Sequence, residues 1–138
     1  MKKRLLIDTN VVLDVLMDRQ PHAVASAAVF ATIETGSAEG VLAAHTVTTI
    51  HYLISRQLNQ RDARQTLGTL LKLFAIAPVD GNVLQQALQS SGHDFEDSVT
   101  AAAAQASGCH LIVTRDPKGF RRAALPALTP TQALALLC

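Results

Sequence analysis

Apolar residues along the chain fall into short runs that end at polar turns and longer stretches with helical spacing, the alternation expected of strands and amphipathic helices. The first run, Leu5-Leu6-Ile7, follows Lys2-Lys3-Arg4 and stops abruptly at Asp8-Thr9-Asn10, after which Val11-Val12-Leu13 resumes apolar character. The polar triplet therefore reads as a turn between two packed elements, with Asp8 at the tip of a buried strand. The pattern predicts a short helix over Val11 to Asp18, with Asp8 or Thr9 accepting hydrogen bonds at its start. A second helix opens at Pro21, presents Val24, Ala27, Ala28 and Ala31 at helical spacing, and stops at Gly36.

Gly40 to Ala44 reads as a second strand. The next helix is capped by Thr46 or Thr48 and carries Val47, Ile50, Leu53, Ile54 and Leu58 on one face. After the polar break Asn59 to Asp62, Ala63, Leu67, Leu70, Leu71 and Phe74 line another helix. Phe74 to Val79 is extended, and Pro78 places it at or near a sheet edge because proline cannot donate a ladder hydrogen bond. Asp80 or Asn82 begins the helix of Val83, Leu84, Ala87 and Leu88, which ends in the polar interval Ser90 to His93. An alanine-rich helix over Phe95 to Ser107 has Asp94, Glu96 and Asp97 at its start and Gly108 at its stop, as the helix dipole favours. Leu111-Ile112-Val113 is a buried strand, Thr114 to Gly119 a loop, Ala127-Leu128 a last extended piece, and a helix begins at Thr129-Pro130. Strands alternating with helices predict one α/β domain over residues 1–138, with a parallel sheet of about five strands in an order that periodicity does not specify.

Composition narrows the functional classes. A hydrophobic fraction of 49% supports a contiguous core, and with only 4% aromatics that core must be aliphatic. The formal charge of +1 excludes a large positive field coating nucleic acid, so polyanion contacts must be local. No apolar run approaches the roughly 20 residues of a membrane span. Asp8, Asn10 and Asp14 interrupt what would be a signal-peptide core after Met1-Lys2-Lys3-Arg4. A cytoplasmic protein is expected. The two cysteines, Cys109 and Cys138, have neither the spacing nor the number of a metal knuckle or disulfide framework.

The candidate chemistry lies in carboxylates. Asp8 and Asp116 each follow a short apolar strand, so a parallel sheet would place them along one edge, and Asp97 can join them from a helix start. Carboxylates gathered this way repel one another unless a cation is present. Mg²⁺ or Mn²⁺ suits oxygen ligands and water, and metal-bound water can attack a phosphodiester. Taken singly, each acid also serves as a turn or helix cap. Asp94 caps the helix or joins the metal shell, and Asp14 and Asp18 are expected on a solvated helix face or end. Thr9, Asn10 and Thr114 can orient water or ligand. Arg115 and Lys118, with Arg121 and Arg122, can hold a phosphate backbone without reading bases. His22, His45, His93 and His110 read as structural or surface residues.

Leu5 to Leu13, Asp94-Phe95-Glu96-Asp97-Ser98-Val99 and Ile112-Val113-Thr114-Arg115-Asp116 together resemble the PIN-domain family over nearly the whole chain. The likeness is to a compact bacterial branch that includes ribonuclease toxins of toxin–antitoxin pairs, a branch that Leu128-Thr129-Pro130 also resembles. The resemblance implies a three-layer, doubly wound α/β/α sandwich. It further implies Mg²⁺ or Mn²⁺ at Asp8, Asp97 and Asp116 with Asp94 as an additional acid, RNA hydrolysis, homodimerisation, and an antitoxin protein as partner. Many PIN domains carry a further glutamate on the helix after the second strand; His51 stands in that place, in a structural role or a role beside the metal. An alternative reading follows from His51: a noncatalytic RNA-binding or antitoxin-binding module with a degenerate metal site. Phosphate-ester hydrolysis through a nucleophilic Asp8 is a further enzyme reading.

Overall fold

Successive side chains of a strand point to opposite faces, and here both faces are apolar. The computed structural model describes residues 2–90, 92 and 94–137. Its strands are β1 (Lys3–Ile7), β2 (Ala38–Ala43), β3 (Ala75–Ala77), β4 (Leu111–Val113) and β5 (Ala127–Leu128). All neighbouring pairs are parallel, in the order β3-β2-β1-β4-β5. The helices are α1 (Thr9–Leu16), α2 (His22–Glu34), α3 (Ala44–Ile54), α4 (Gln60–Leu73), α5 (Gly81–Gln89), α6 (Phe95–Ala106) and α7 (Pro130–Leu137), with a 3₁₀ turn over Pro117–Phe120.

The sheet divides the core in two. Leu5, Ile7, Leu42, Leu111 and Val113 pack on one side with residues of α1, α2, α3, α4 and α7. Leu6, Val41, Ala43, Ala77 and Ile112 pack on the other with α5, α6 and Phe120. The result is the three-layer α/β/α sandwich. Leu5, Leu6 and Ile7 are wholly buried, and each contributes about 1.5–3 kcal/mol through removal of its side chain from water. The strand that delivers Asp8 is therefore firmly held at the centre of the sheet. No helix among the described residues is long and apolar enough to cross a membrane.

The structure revises several local expectations. The core face of α2 is Ala23, Ser26, Val29, Phe30 and Ile33, while Val24 is exposed. This helix is apolar on all sides, so its pattern offers little contrast, and the bulkier side chains select the buried face. Neither Thr46 nor Thr48 caps α3; the helix begins earlier, after Ala43, with both threonines inside it. The extended piece predicted from Phe74 to Val79 pairs only over Ala75–Ala77, at the sheet edge that Pro78 implied. Asp14 is not solvated but fully buried. Cys109 is buried, whereas Cys138 and His93 lie outside the described residues.

Gly40 marks a close approach. A Cβ at this buried β2 position would lie 2.7 Å from the Phe74 ring and 2.8 Å from Ile33 Cδ1. Phe74 is itself locked edge-on against Phe30, with ring centroids 5.2 Å apart. Gly40→Ala is therefore expected to destabilise the protein by about 1–3 kcal/mol, the usual cost of overpacking a core. Urea unfolding would check this, and an unchanged midpoint would show that the ring pair can give way.

Candidate active site

The strand order reverses at β1. From there the chain steps outward through β2 and β3, then returns to the other side for β4 and β5. Such a switch point leaves a crevice outside the carboxyl ends of the two central strands, where open α/β sheets bind ligands. Ile7 and Val113 are register partners, and the Asp8 amide continues the ladder by donating to the Val113 carbonyl at 2.9 Å. Asp8 and the loop carrying Asp116 therefore begin side by side.

Each Asp8 carboxylate oxygen is engaged. Oδ1 accepts from the Thr9 amide at 2.8 Å and caps α1, while Oδ2 accepts from Thr114 Oγ1 at 2.8 Å. The same buried hydroxyl accepts from the Asp116 amide at 3.1 Å. Thr114 thus sets the orientation of one acid and the backbone position of another. Asn10 ties the two loops again, its Oδ1 accepting from the Arg115 amide at 3.3 Å. Thr9 Oγ1 donates to Thr46 Oγ1 at 3.2 Å and fastens α1 to α3. Burial pushes the Asp8 carboxyl above its ordinary value; the Thr114 and Thr9 donors oppose that shift, Glu96 adds to it, and His45 opposes it weakly.

Asp97 arrives from the first turn of α6. Asp94 precedes the helix as its cap, with Oδ1 accepting from the Asp97 amide at 3.0 Å. A Cβ at Gly119 would lie 2.7 Å from Asp97 Oδ2 and 3.9 Å from Asp116 Oδ2. Two carboxylate oxygens thus face one bare stretch of backbone, which glycine leaves open. The Asp97 carboxyl is pushed up to about 6, chiefly by burial and then by the charges of Asp94, Asp8, Glu96 and Asp116. A cleft of about 350 Å³ opens beside Asp97 and Gly119, between α5, α6 and the segment after the 3₁₀ turn; Gln89, Ser98 and Gln105 also line it.

The raised Asp97 pKa has a definite pH signature. Its folded value of about 6 exceeds the ordinary 3.8, so the folded state binds the proton more tightly than the unfolded chain. The associated stability is fully present below 3.8 and is lost as pH rises through about 6. In metal-free protein, Asp97→Asn should therefore gain melting temperature relative to wild type as pH rises through that window. A difference independent of pH would assign the shift elsewhere.

The histidine at this edge is His45, read from the sequence as a structural or surface residue. Its Nε2 lies 3.2 Å from Thr100 Oγ1, and its buried Nδ1 has no partner among the described residues. Burial lowers its pKa, and the charges of Glu96 and Asp8 partly restore it. Its position in the first turn of the helix following β2, at the carboxyl edge of the sheet, was the available signal. His51 lies farther along α3, where its ring meets Oγ of Ser55, the residue that closes the helix, at 3.4 Å. Lys118 is exposed on the 3₁₀ turn after Asp116.

The fold is shared with known proteins. The structure of FitAB bound to a DNA fragment superposes with a TM-score of 0.74 at 25% identity, covering 91% of this chain and 94% of that one. A toxin–antitoxin complex from Klebsiella pneumoniae gives 0.65 at 20% identity, covering 91% and 97%. VapC20 of Mycobacterium tuberculosis, described as a Sarcin-Ricin loop cleaving toxin, gives 0.62 at 14% identity, covering 78% and 86%. The last two likenesses are of fold alone. No curated protein matches the chain by sequence. The sequence pattern of the PIN domain matches residues 4–118, which hold every strand but β5 and every acid of the switch-point crevice, and this chain accordingly belongs to the PIN-domain family.

Proposed function

We propose that the protein is a metal-dependent endoribonuclease that hydrolyses RNA phosphodiester bonds, acting as the toxin of a toxin–antitoxin pair. The observation that carries this reading is the facing of Asp97 Oδ2 and Asp116 Oδ2 across the Gly119 backbone, beside an Asp8 held by Thr114. These are hard oxygen donors, and the Asp97 carboxyl is raised first by burial and then by the charges of Asp94, Asp8, Glu96 and Asp116, a cost that a bound cation would relieve. They fit Mg²⁺ or Mn²⁺, with Asp8, Asp97 and Asp116 as ligands and Asp94 at the margin.

Among the described residues no three His, Cys, Asp or Glu side chains form a ready-made cage for a metal. A cation seated here would retain part of its water shell, as Mg²⁺ commonly does. When bound, it would supply an activated water and offset charge on the phosphodiester. The chain's own residues do the remaining work. Thr114 fixes the direction of Asp8 Oδ2, Asp94 fixes the first turn that presents Asp97, and the close packing of Gly119 keeps the floor of the cleft open. The known toxin–antitoxin complexes of this fold support an antitoxin partner, and homodimerisation belongs to the same reading.

Purified protein incubated with mixed RNA should cleave it when Mg²⁺ or Mn²⁺ is added, and chelation should stop the reaction. In parallel, Mn²⁺ at about a hundred times its Kd should stabilise the fold by about 2.7 kcal/mol. Cleavage that persists under chelation would overturn the metal assignment. Stabilisation by metal without cleavage of any RNA would favour a binding module instead.

A further inference from the structure

Asp14 is the one charged side chain buried completely among the described residues, and it is balanced twice over. Its Oδ1 lies 3.0 Å from Arg19 Nε and its Oδ2 3.0 Å from Arg115 Nε. These contacts are short in distance but fall off the hydrogen-bond line, so they are chiefly charge–charge. One arginine would neutralise the carboxylate; two leave one positive charge in excess. That excess is not hidden, because the Arg19 and Arg115 side chains are 39% and 32% exposed.

Both arginines are pinned to the acid crevice. Arg19 Nη2 donates to the Asn10 carbonyl and the Arg115 amide donates to Asn10 Oδ1, each at 3.3 Å. Asn10 lies two residues after Asp8 in the first turn of α1, and Arg115 directly precedes Asp116. With its Nε turned toward Asp14, each guanidinium keeps Nη donors for another acceptor, and no partner occupies those of Arg115 among the described residues. The planar fork of arginine matches phosphate oxygens. A crevice of carboxylates repels a polyanion, so a strand entering it needs positive charge fixed at the rim.

We propose that Arg19 and Arg115, braced side by side on Asp14, form an anchor for a backbone phosphate of the RNA strand next to the cleavage site. The anchor rests on the endoribonuclease reading and adds to it a phosphate subsite built from α1, the segment after it, and the loop after β4. It contacts the backbone and carries no base preference.

The test is binding of a labelled single-stranded RNA oligonucleotide by fluorescence anisotropy, in chelator and over a range of salt. Wild type is compared with the combined Asp14→Asn, Arg19→Gln and Arg115→Gln variant, in which the asparagine spares the interior an unpaired carboxylate. A control carries Arg61→Gln and Arg64→Gln on the exposed side of α4, which packs on β3 at the far edge of the sheet. The anchor variant should lose affinity, and its slope of log K against log salt should fall by about 0.7 for each phosphate contact removed. An equal or greater loss in the control, which removes more net positive charge, would reduce the effect to net charge and overturn the anchor. RNA binding with an unchanged slope would overturn the anchor while leaving the RNA reading intact; wild type that does not hold RNA would overturn both.

A second measurement needs no variant. RNA should slow modification of Arg19 and Arg115 by phenylglyoxal in wild-type protein, read by peptide mass spectrometry, without slowing that of Arg61 and Arg64. Unprotected arginines would overturn the anchor. Protection by polyglutamate but not by RNA would overturn it too, and would assign the pair to an acidic protein segment.

Discussion

Asp8→Asn is expected to reduce metal-dependent RNA cleavage by about a thousandfold, on the order of 4 kcal/mol in the barrier, while leaving the protein folded. The substitution removes charge and almost nothing else. Asparagine keeps an oxygen for the Thr9 amide and is as good a helix N-cap as aspartate. Its amide group replaces Oδ2 opposite Thr114 Oγ1, and a hydroxyl can accept as readily as donate. Burial already disfavours the charged form of Asp8, so the neutral variant should melt no lower than wild type without metal. Cleavage rates per folded molecule, set beside melting curves with and without Mn²⁺, separate the two effects. Cleavage within a few-fold of wild type would remove Asp8 from the metal site and leave it as a cap.

Asp14→Ala is expected to have the largest effect on stability, about 3–5 kcal/mol, the usual cost of breaking a buried ion pair by removing one partner. Total stabilities run to about 5–15 kcal/mol, so this one truncation consumes a large share. It leaves two Nε atoms, both shielded from water in the native structure, without a counter-charge. Because the guanidinium heads are partly exposed, they can turn outward, which places the expected cost toward the lower end. Glu34→Ala, which removes an exposed carboxylate from α2, should stay within about 0.5 kcal/mol. Equal midpoints for the two variants in urea would mean that the arginines find solvent without strain.

The strand tips were legible in the sequence for a simple reason. A short aliphatic run followed at once by Asp-Thr-Asn or Thr-Arg-Asp specifies both a buried strand and its polar end, and parallel pairing then places Asp8 and Asp116 at one edge. The acidic start of α6 could be read in the same way, and the structure brings Asp97 to that edge. Other features depended on tertiary contacts. Asp14 looked like a solvated helix residue because its partners are Arg19, one turn beyond the helix, and Arg115, from a loop far along the chain. The face of α2 was misread because alanines at helical spacing outweighed the larger Val29, Phe30 and Ile33 in the pattern. The place of His45 beside the acids was not legible because the start of α3 was placed too late, at Thr46 or Thr48; with the helix beginning at Ala44, His45 falls in its first turn. The order β3-β2-β1-β4-β5 has no local signature, since it is set by which buried faces meet.

The pairing of β1 with β4 also sets a timetable. Leu5 finds Leu111, and Asp8 finds Thr114, only after more than 100 further residues have been synthesised. A nascent chain still short of that point carries Asp8 and Asp97 but has nothing to cover the open side of β1. The carboxylates therefore come together only once β4 and the loop carrying Asp116 have emerged, so the crevice cannot assemble on a chain that ends before them.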